Sequence, residues 1–306
     1  MVTMVSLENR KQLFLLNLLI FLTFDLMLLG AGVRTMDAGL TCPDWPLCFG
    51  KPIPEYHFGV YLEFIHRAIA GLLSIVFVVF FTLVWRNKSL KSLRLSLLVG
   101  LFLLIAQVIM GGLTVLKLLD SIIVTLHLSL ATAFLLNLYV VKQKLVLDVN
   151  KNKFLIKAAV WQKVFKANII LGIVFVLLQI VLGGLVASTY SGLICVDFPT
   201  CNGQLFPEMT GPVAIQMLHR FGAYWLALLS VILFVFSIFY SKKIGLNKKQ
   251  RVLGVKVFLL ICSQVAIGIL NLKFLIPAWL SVVHLGVALS ILLTLVQLLY
   301  KIKQKN

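Results

Sequence analysis

The sequence contains very little charge, and most of the charge that it has is of one sign. Its 306 residues include 28 lysines and arginines but 10 aspartates and glutamates, so that 12% of the residues are charged while 61% are hydrophobic. So few ionisable side chains cannot cover the surface of a soluble protein of this length. With a mean hydropathy of +1.05, the composition indicates an integral membrane protein.

Two further features are missing at the N-terminus. The first apolar run, residues 12–33, is too long for the core of a signal peptide and has no small-residue cleavage site, so we expect a membrane helix. The residues before it lack the length and the Arg and Ser content of a mitochondrial transit peptide, which favours a bacterial or archaeal plasma membrane. The net charge of +18 would suggest nucleic-acid binding in a soluble protein. Here the cations cluster in alternate loops, so we expect no nucleic-acid partner.

Eight apolar stretches have the length of about 20 residues that a membrane-spanning helix requires. The connections between them are alternately rich and poor in Lys and Arg, and the positive-inside rule places the basic ones and both termini in the cytoplasm. We therefore predict an all-α, multi-pass membrane protein with two pseudo-symmetric four-helix bundles, residues 1–150 and 151–306. The predicted helices are residues 12–33, 60–85, 94–116, 120–142, 163–188, 212–240, 251–273 and 276–300.

One long pattern occurs twice in the chain. Residues 29–71 align without a gap onto residues 182–224, and internal duplication of this kind is common among membrane protein folds. The matched residues are Gly39 with Gly192, Cys42 with Cys195, Cys48 with Cys201, Pro54 with Pro207, and His66-Arg67 with His219-Arg220.

Four of the five cysteines form two pairs, each in a connection predicted to face outside. In an oxidising compartment such pairs persist as disulfides, so we expect Cys42–Cys48 and Cys195–Cys201 bonds. The spacing is also compatible with metal binding, or with a resting dithiol that reacts with a redox partner. Cys262, inside the seventh predicted helix, is expected to be a small core residue.

Four histidines, His66, His127, His219 and His284, lie one in each even-numbered predicted helix, roughly 10 Å below its outer end at ~1.5 Å per residue. An imidazole within the membrane is costly and normally faces the bundle interior. Two imidazoles from separate helices of a bundle can hold a haem iron from both faces. Zinc would need three or four ligands, including thiolate or carboxylate, and the sequence offers no such cluster at this depth. We predict one haem per half, held by His66 with His127 and by His219 with His284.

Cations near these histidines are candidates for binding the anionic haem propionates. Arg67 and Arg220 directly follow two of the histidines, and Lys117 and Lys273 lie at the outer turns. For the arginines, the alternative is that their side chains extend to the membrane interface. Glycines in the odd-numbered predicted helices would allow close approach of a flat macrocycle or of a neighbouring helix. They are Gly111, Gly112, Gly183, Gly184 and Gly268.

The two halves differ next to their first histidine. Glu63 lies three residues before His66 and therefore on the same helical face, while Gln216 holds the matching position before His219. A carboxylate at this depth is expensive unless it handles protons, stabilises positive charge or pairs with a cation. We predict the half with Glu63 to be the reacting site; a structural ion pair with an arginine is the alternative. We assign no role to Asp25, a second carboxylate that is expected to be buried.

These motifs together resemble the haem A synthase family. The resemblance rests on GLTCPDWPLCFG followed by E-x-x-H-R, a later single histidine, then C-x5-C and Q-x-x-H-R, and it covers residues 30–284. It implies oxidation of the C8 methyl of haem O to a formyl group by successive hydroxylations. It also implies that His66 and His127 flank the substrate haem, that Glu63 assists the oxidation, and that His219 and His284 ligate a b-type haem cofactor.

The resemblance also suggests partners. Haem O is too apolar to diffuse through water, so we expect lateral entry from the bilayer or transfer from the farnesyltransferase that makes haem O. The electron donor is not specified by the sequence. Two other readings are a di-haem membrane cytochrome that only transfers electrons and a haem transporter or chaperone. All four histidines are predicted at the same depth near the outer side of the membrane, which argues against electron transfer from one side of the membrane to the other.

Overall fold

The structure, a computed structural model, describes residues 7–148 and 160–302. These two ranges belong to two separate compact units, which are described one at a time. The predicted boundary between residues 150 and 151 lies outside the described residues, as do Lys303 and Lys305 of the basic tail.

Within residues 7–148, the first unit contains four long helices and one short helical segment. Helix α1 packs against α2 and α4, and α3 packs mainly against α4. The long connection between α1 and α2 carries the first cysteine pair. The elements are α1 (Leu7–Thr35), α2 (Phe58–Arg86), a 3-10 helix (Lys88–Leu93), α3 (Arg94–Leu116) and α4 (Ser121–Asp148).

The described part of the second unit, residues 160–302, contains four long helices, a short helix and a 3-10 turn. Helix α5 packs against α6 and α9, and α8 packs between α6 and α9. The connection between α5 and α6 carries the second cysteine pair. The elements are α5 (Val160–Ser188), a 3-10 helix (Ser191–Leu193), α6 (Gly211–Ile238), α7 (Ser241–Ile244), α8 (Lys248–Lys273) and α9 (Ala278–Ile302).

Eight of these helices are long and apolar enough to cross a membrane, which confirms the eight predicted spans. Their ends differ from the predicted ends because the hydrogen bonds of the backbone, not hydropathy, end a helix. The predicted sixth helix stops at Ile238, and the chain turns through α7 and Gly245, whose φ of +73° suits glycine. Helix α8 then starts at a capping box formed by Asn247 and Gln250.

The hydrophobic core of the first unit lies at the end away from the cysteine loop. Its largest buried side chains include Phe77, Phe80 and Phe134, and Leu16 and Leu19 of α1 pack into the same cluster. The histidines lie nearer the loop than this cluster does. The unit therefore has a closely packed aromatic and aliphatic end and a loop end that carries the polar groups.

Candidate haem-binding sites

Each loop between the first two long helices of a unit is closed by a disulfide. Cys42 bonds to Cys48 and Cys195 bonds to Cys201, with Cα separations of 4.8 Å and 4.7 Å. In both loops the second cysteine also forms a backbone bridge, Cys48 with Lys51 and Cys201 with Gln204. All four cysteines are buried. The disulfides expected from the sequence are thus present.

An aspartate organises the turn inside each disulfide loop. The Asp44 carboxylate accepts hydrogen bonds from the backbone N–H groups of Phe49 (2.6 Å) and Gly50 (2.8 Å). The N–H of Gly50 is the main cause that lowers the pKa of Asp44 below its ordinary value. In the second loop, the Thr200 hydroxyl and the N–H groups of Gly203 and Asn202 lower the pKa of Asp197 in the same way.

The two arginines that follow the histidines bind these loops. Arg67 donates from Nη1 to the carbonyl oxygens of Asp44 (2.6 Å) and Leu47 (2.5 Å), and from Nη2 to that of Cys42 (3.3 Å). A planar guanidinium suits several acceptors at fixed angles. The first disulfide loop is therefore fastened to α2 by a cation.

Arg220 binds the second loop at the matching atoms. It donates from Nη1 to the carbonyl oxygens of Asp197 (2.8 Å) and Thr200 (2.6 Å), and from Nη2 to that of Cys195 (2.5 Å). Arg220 is buried, with 5% of its surface exposed. Both guanidinium groups thus bind carbonyl oxygens of the disulfide loops. Their propionate role stays a prediction.

Glu63 is tied to the same loop. Its Oε1 accepts from Arg67 Nη2 at 2.5 Å, and its Oε2 accepts from the Cys42 N–H at 3.3 Å and from the Thr41 hydroxyl at 3.4 Å. The ion pair with an arginine, considered above as the alternative for Glu63, is thus present. Glu63 is buried, with 4% of its surface exposed. A role in the reaction stays a prediction.

Gln216 makes different contacts from those of Glu63. Its Nε2 donates to the carbonyl oxygen of Gly192 at 3.3 Å, and its buried Oε1 has no hydrogen-bond partner in the described part of the second unit. The substitution of an amide for a carboxylate therefore removes the ion pair and leaves the arginine to the loop alone.

Each of the four predicted haem-ligating histidines packs against a glycine of the preceding long helix. A Cβ built on the glycine would lie 3.0–3.3 Å from the imidazole Cε1 in all four cases, so that an added side chain would require the ring to move by a few tenths of an ångström. The glycines thus fix how closely each ring approaches the neighbouring backbone. The pairs are Gly30 with His66, Gly111 with His127, Gly183 with His219, and Gly268 with His284.

The imidazole pair of the second unit fits a bis-histidine haem. The ring centroids of His219 and His284 are 6.4 Å apart, with 60° between the ring planes. A metal ion between the two rings would add two metal–nitrogen bonds of about 2 Å and, on each side, the distance from the nitrogen to the ring centre. Their sum is roughly the distance between the two centroids. The Nδ1 atoms of both rings are buried without a hydrogen-bond partner in the described residues, as the rings of a site built around another group would be.

In the first unit, His66 packs against Gly30 of α1 and His127 against Gly111 of α3. The Nδ1 atoms of these rings are also buried and without a partner in the described range 7–148. His127 Nε2 lies 3.2 Å from Nε2 of Gln107 on α3. The structure describes no group of three or more His, Cys, Asp or Glu side chains that could hold a metal ion, so the imidazole pairs remain the candidate ligands.

Three contacts were not anticipated from the sequence. Gln107 touches His127, Thr41 touches Glu63, and the Trp45 ring packs on Gly112 of α3, where a Cβ would lie 3.1 Å from the indole. Gln107 has a counterpart in Gln264, four residues before Gly268 just as Gln107 precedes Gly111. Aligning the third and seventh predicted helices would have drawn attention to it.

The other predicted residues lie as follows. Lys117 and Lys273 are exposed where α3 and α8 end, and Asp25 is half-buried in α1. Cys262 is exposed on α8, so its prediction as a core residue is wrong. The outward face of a membrane helix is itself apolar, and a cysteine fits there as well as in a core.

A family model described as cytochrome oxidase assembly protein, COX15-CtaA, matches residues 13–296. The chain is 30% identical over 260 residues to the heme A synthase of Lysinibacillus sphaericus, which covers 80% of each chain. It is 28% identical over 339 residues to that of Shewanella oneidensis, covering 95% of this chain and 97% of the relative. It is 29% identical over 324 residues to that of Neorickettsia sennetsu, covering 89% and 95%. With eight helices able to cross a membrane, these bacterial relatives indicate a multi-pass plasma-membrane protein.

Proposed function

This chain belongs to the cytochrome oxidase assembly protein family, and on that basis we propose that it is a haem A synthase, a membrane oxidoreductase that converts haem O to haem A. The reaction oxidises the C8 methyl of haem O to a formyl group by successive hydroxylations and loss of water. The observation that carries the proposal is a pair of glycine-backed imidazoles in each unit, of which one pair has a carboxylate beside it.

The two imidazole pairs have separate roles in this proposal. His219 and His284 hold a b-type haem, and the spacing of their rings supports that assignment. Bound there, the haem iron supplies one-electron redox chemistry. His66 and His127 flank the substrate haem O. The four glycines keep each ring at a fixed distance from its neighbouring helix, so the imidazoles are oriented before any haem arrives.

Glu63 handles a proton during the oxidation. Its Oε1 is held in the short ion pair with Arg67, whereas its Oε2 makes two longer contacts, at 3.3 Å and 3.4 Å. Oε2 is therefore the oxygen with lone-pair capacity left for a proton from the reacting carbon substituent. Glu63 lies three residues before His66, on the same face of α2. Arg67 positions the carboxylate and fastens the loop above it.

The cations at the loop end bind propionates. Lys117 and Lys273 are exposed there and free of the loop carbonyl contacts that occupy Arg67 and Arg220. We assign the lysines the main share of propionate binding. By the positive-inside rule, both haem sites lie toward the outer face of the membrane and both termini lie in the cytoplasm.

Extraction and chromatographic typing of the bound haems tests the proposal. The protein is purified from cells that make haem O and from cells that do not. Haem B is expected in both preparations, and haem O, a hydroxylated intermediate or haem A only in the first. Haem B alone in both would favour a membrane cytochrome that only transfers electrons.

Co-purification with the farnesyltransferase that makes haem O tests direct transfer of the substrate.

A further inference from the structure

The two histidine sites differ one helical turn farther from the disulfide loops. In the second unit, the Gln179 side chain of α5 crosses Gly222 of α6 so closely that a Cβ at Gly222 would overlap the amide nitrogen. The ungapped repeat register places Leu26 of α1 and Ile69 of α2 at the same two positions in the first unit. An amide over a bare backbone in one unit is thus replaced by two aliphatic side chains in the other.

These positions belong to the haem-facing surface of the helices. Gln179 precedes by four residues Gly183, which contacts His219, and Gly222 follows His219 by three residues. Residues three or four apart share one helical face. The Gln179–Gly222 pair therefore lies directly below the His219 ring, on the side away from the loop, and the Leu26–Ile69 positions lie in the same relation to His66.

The substituents of a haem explain why the residues one helical turn below the histidines matter. The propionates lie on one edge of the macrocycle, and the opposite edge is apolar. With the cations at the loop end binding the propionates, the apolar edge points away from the loops, toward this level. Haem O differs from haem B by a long isoprenoid substituent on that edge. The residues one turn below the histidines are therefore those that meet the difference between the two haems.

We propose that these pairs determine which haem each unit accepts. The Gln179 amide disfavours an isoprenoid chain, because the chain would cover a polar group without offering it a hydrogen bond. The second unit consequently selects haem B. Leu26 and Ile69 present aliphatic surface to the chain, and the first unit selects haem O. This inference rests on the proposed function and names the residues that discriminate between substrate and cofactor.

The test measures which haem a single unit retains. The double variant Gln179→Leu with Gly222→Ile is made together with His66→Ala, so that only the second unit binds haem. The reciprocal change, Leu26→Gln, is made together with His219→Ala, so that only the first unit does. Each is purified from cells that make both haems, beside its single-histidine parent, and the ratio of haem O to haem B is measured. Gly222→Ile is introduced only with Gln179→Leu because the native Gln179 side chain could not coexist with a Cβ at position 222.

We expect the ratio of haem O to haem B to rise about tenfold or more in the double variant and to fall by about as much in Leu26→Gln. Unchanged ratios in both would overturn the inference. A His219→Ala parent that never retains haem O, its intermediate or haem A would instead count against the proposed function. Gln179→Leu and Leu26→Gln in the otherwise unaltered chain provide a second measurement, haem O per protein, in case a histidine variant does not fold.

Discussion

At the scale of single residues, Glu63 and Gln216 occupy matching positions with different local contacts. The carboxylate pairs with Arg67 and accepts from the Cys42 N–H, whereas the amide donates to Gly192. Arg67 and Arg220 bind the loop carbonyls in both units. The loop contacts thus do not require the carboxylate, and its presence in one unit needs a reason beyond holding the loop.

Glu63→Gln tests that reason. The amide keeps the shape and can still accept from Cys42, but it cannot take the proton that we assign to Oε2. We expect the variant to retain haem B and to bind haem O while haem A formation falls at least about a hundredfold, in the range of a lost general acid or base. Product is measured by haem typing of membranes. The control is Glu55→Gln, an exposed loop carboxylate paired with Lys51. Normal product from Glu63→Gln would refute a proton-handling role.

At the scale of helices and loops, glycines decide how near an imidazole ring can come to the next helix. The contact is similar in all four cases, with 3.0–3.3 Å from a built Cβ to Cε1. The rings are half-buried rather than locked in a core of large side chains. The close approach to a glycine is therefore a contact that all four rings share, and His127 also contacts Gln107.

Gly183→Ala and Gly268→Ala should each lower bound haem B at least about twofold, because an added methyl group pushes the His219 or His284 ring away from its position. The readout is haem absorbance per protein after purification. Gly71→Ala in α2 is the matched control, because a Cβ there would meet nothing within 4 Å. It should leave haem content unchanged and favour the helix by about 1 kcal/mol. Equal haem loss in all three variants would show that the loss does not come from the contact between glycine and imidazole.

The first disulfide loop has a pH dependence that follows from Asp44. Backbone N–H groups lower the pKa of this carboxyl, so its stabilising contribution is complete above the ordinary carboxyl pKa of about 4 and is lost as the pH falls through the lowered value. We expect the loop to hold from pH 7 down to about pH 4 and to loosen below. The rate of Cys42–Cys48 reduction by a phosphine reductant reports this.

Comparison of Asp44→Asn with the parent at each pH separates the effect of loop stability from the effect of pH on the reduction reaction itself. The variant should reduce faster at pH 7 and should lack the additional acceleration in acid. Peptide mapping distinguishes the two disulfides, and Cys195–Cys201, held by Asp197, is the internal control in the same molecule. A variant whose Cys42–Cys48 bond reduces at the parental rate at every pH would contradict a stabilising role for Asp44.

At the scale of the whole molecule, each of the two compact units has a loop closed by a disulfide, and in the first unit the packed apolar core lies at the end away from that loop. An alternation of basic and neutral connections accompanies the eight spans. The proposed topology therefore sets both disulfide loops in an oxidising compartment, where such bonds persist.

Reporter fusions test this topology. A fluorescent protein fused after Asn306 should be active, because the positive-inside rule places the C-terminus in the cytoplasm, and alkaline phosphatase at the same site should be inactive. Alkaline phosphatase inserted after Glu208 in the second disulfide loop should be active. The reverse pattern would place the disulfide loops and the proposed haem sites on the cytoplasmic side.

Much of this architecture followed from sequence because its causes are local or periodic. Span lengths follow from hydropathy. The cysteine pairs, His66 and His219 follow from an ungapped repeat, and His127 and His284 follow from their depth in the predicted helices. The partners of polar side chains did not. Nothing near Arg67 in the sequence indicates that its guanidinium binds the carbonyls of a loop some twenty residues earlier. Cys262 could not be assigned to core or lipid, since both environments are apolar.

The sequence by itself determined the class of protein, the number of spans, the repeat, the disulfide pairs and the histidines that merit attention. The tertiary structure decided how these groups meet: that Glu63 pairs with Arg67, that each imidazole lies on a glycine, and that Gln179 lies over Gly222. The physical reason is the separation along the chain of the residues that interact. Hydropathy and spacing act along the chain, whereas ion pairs and close packing join residues that only the packing of helices brings within a few ångströms of one another.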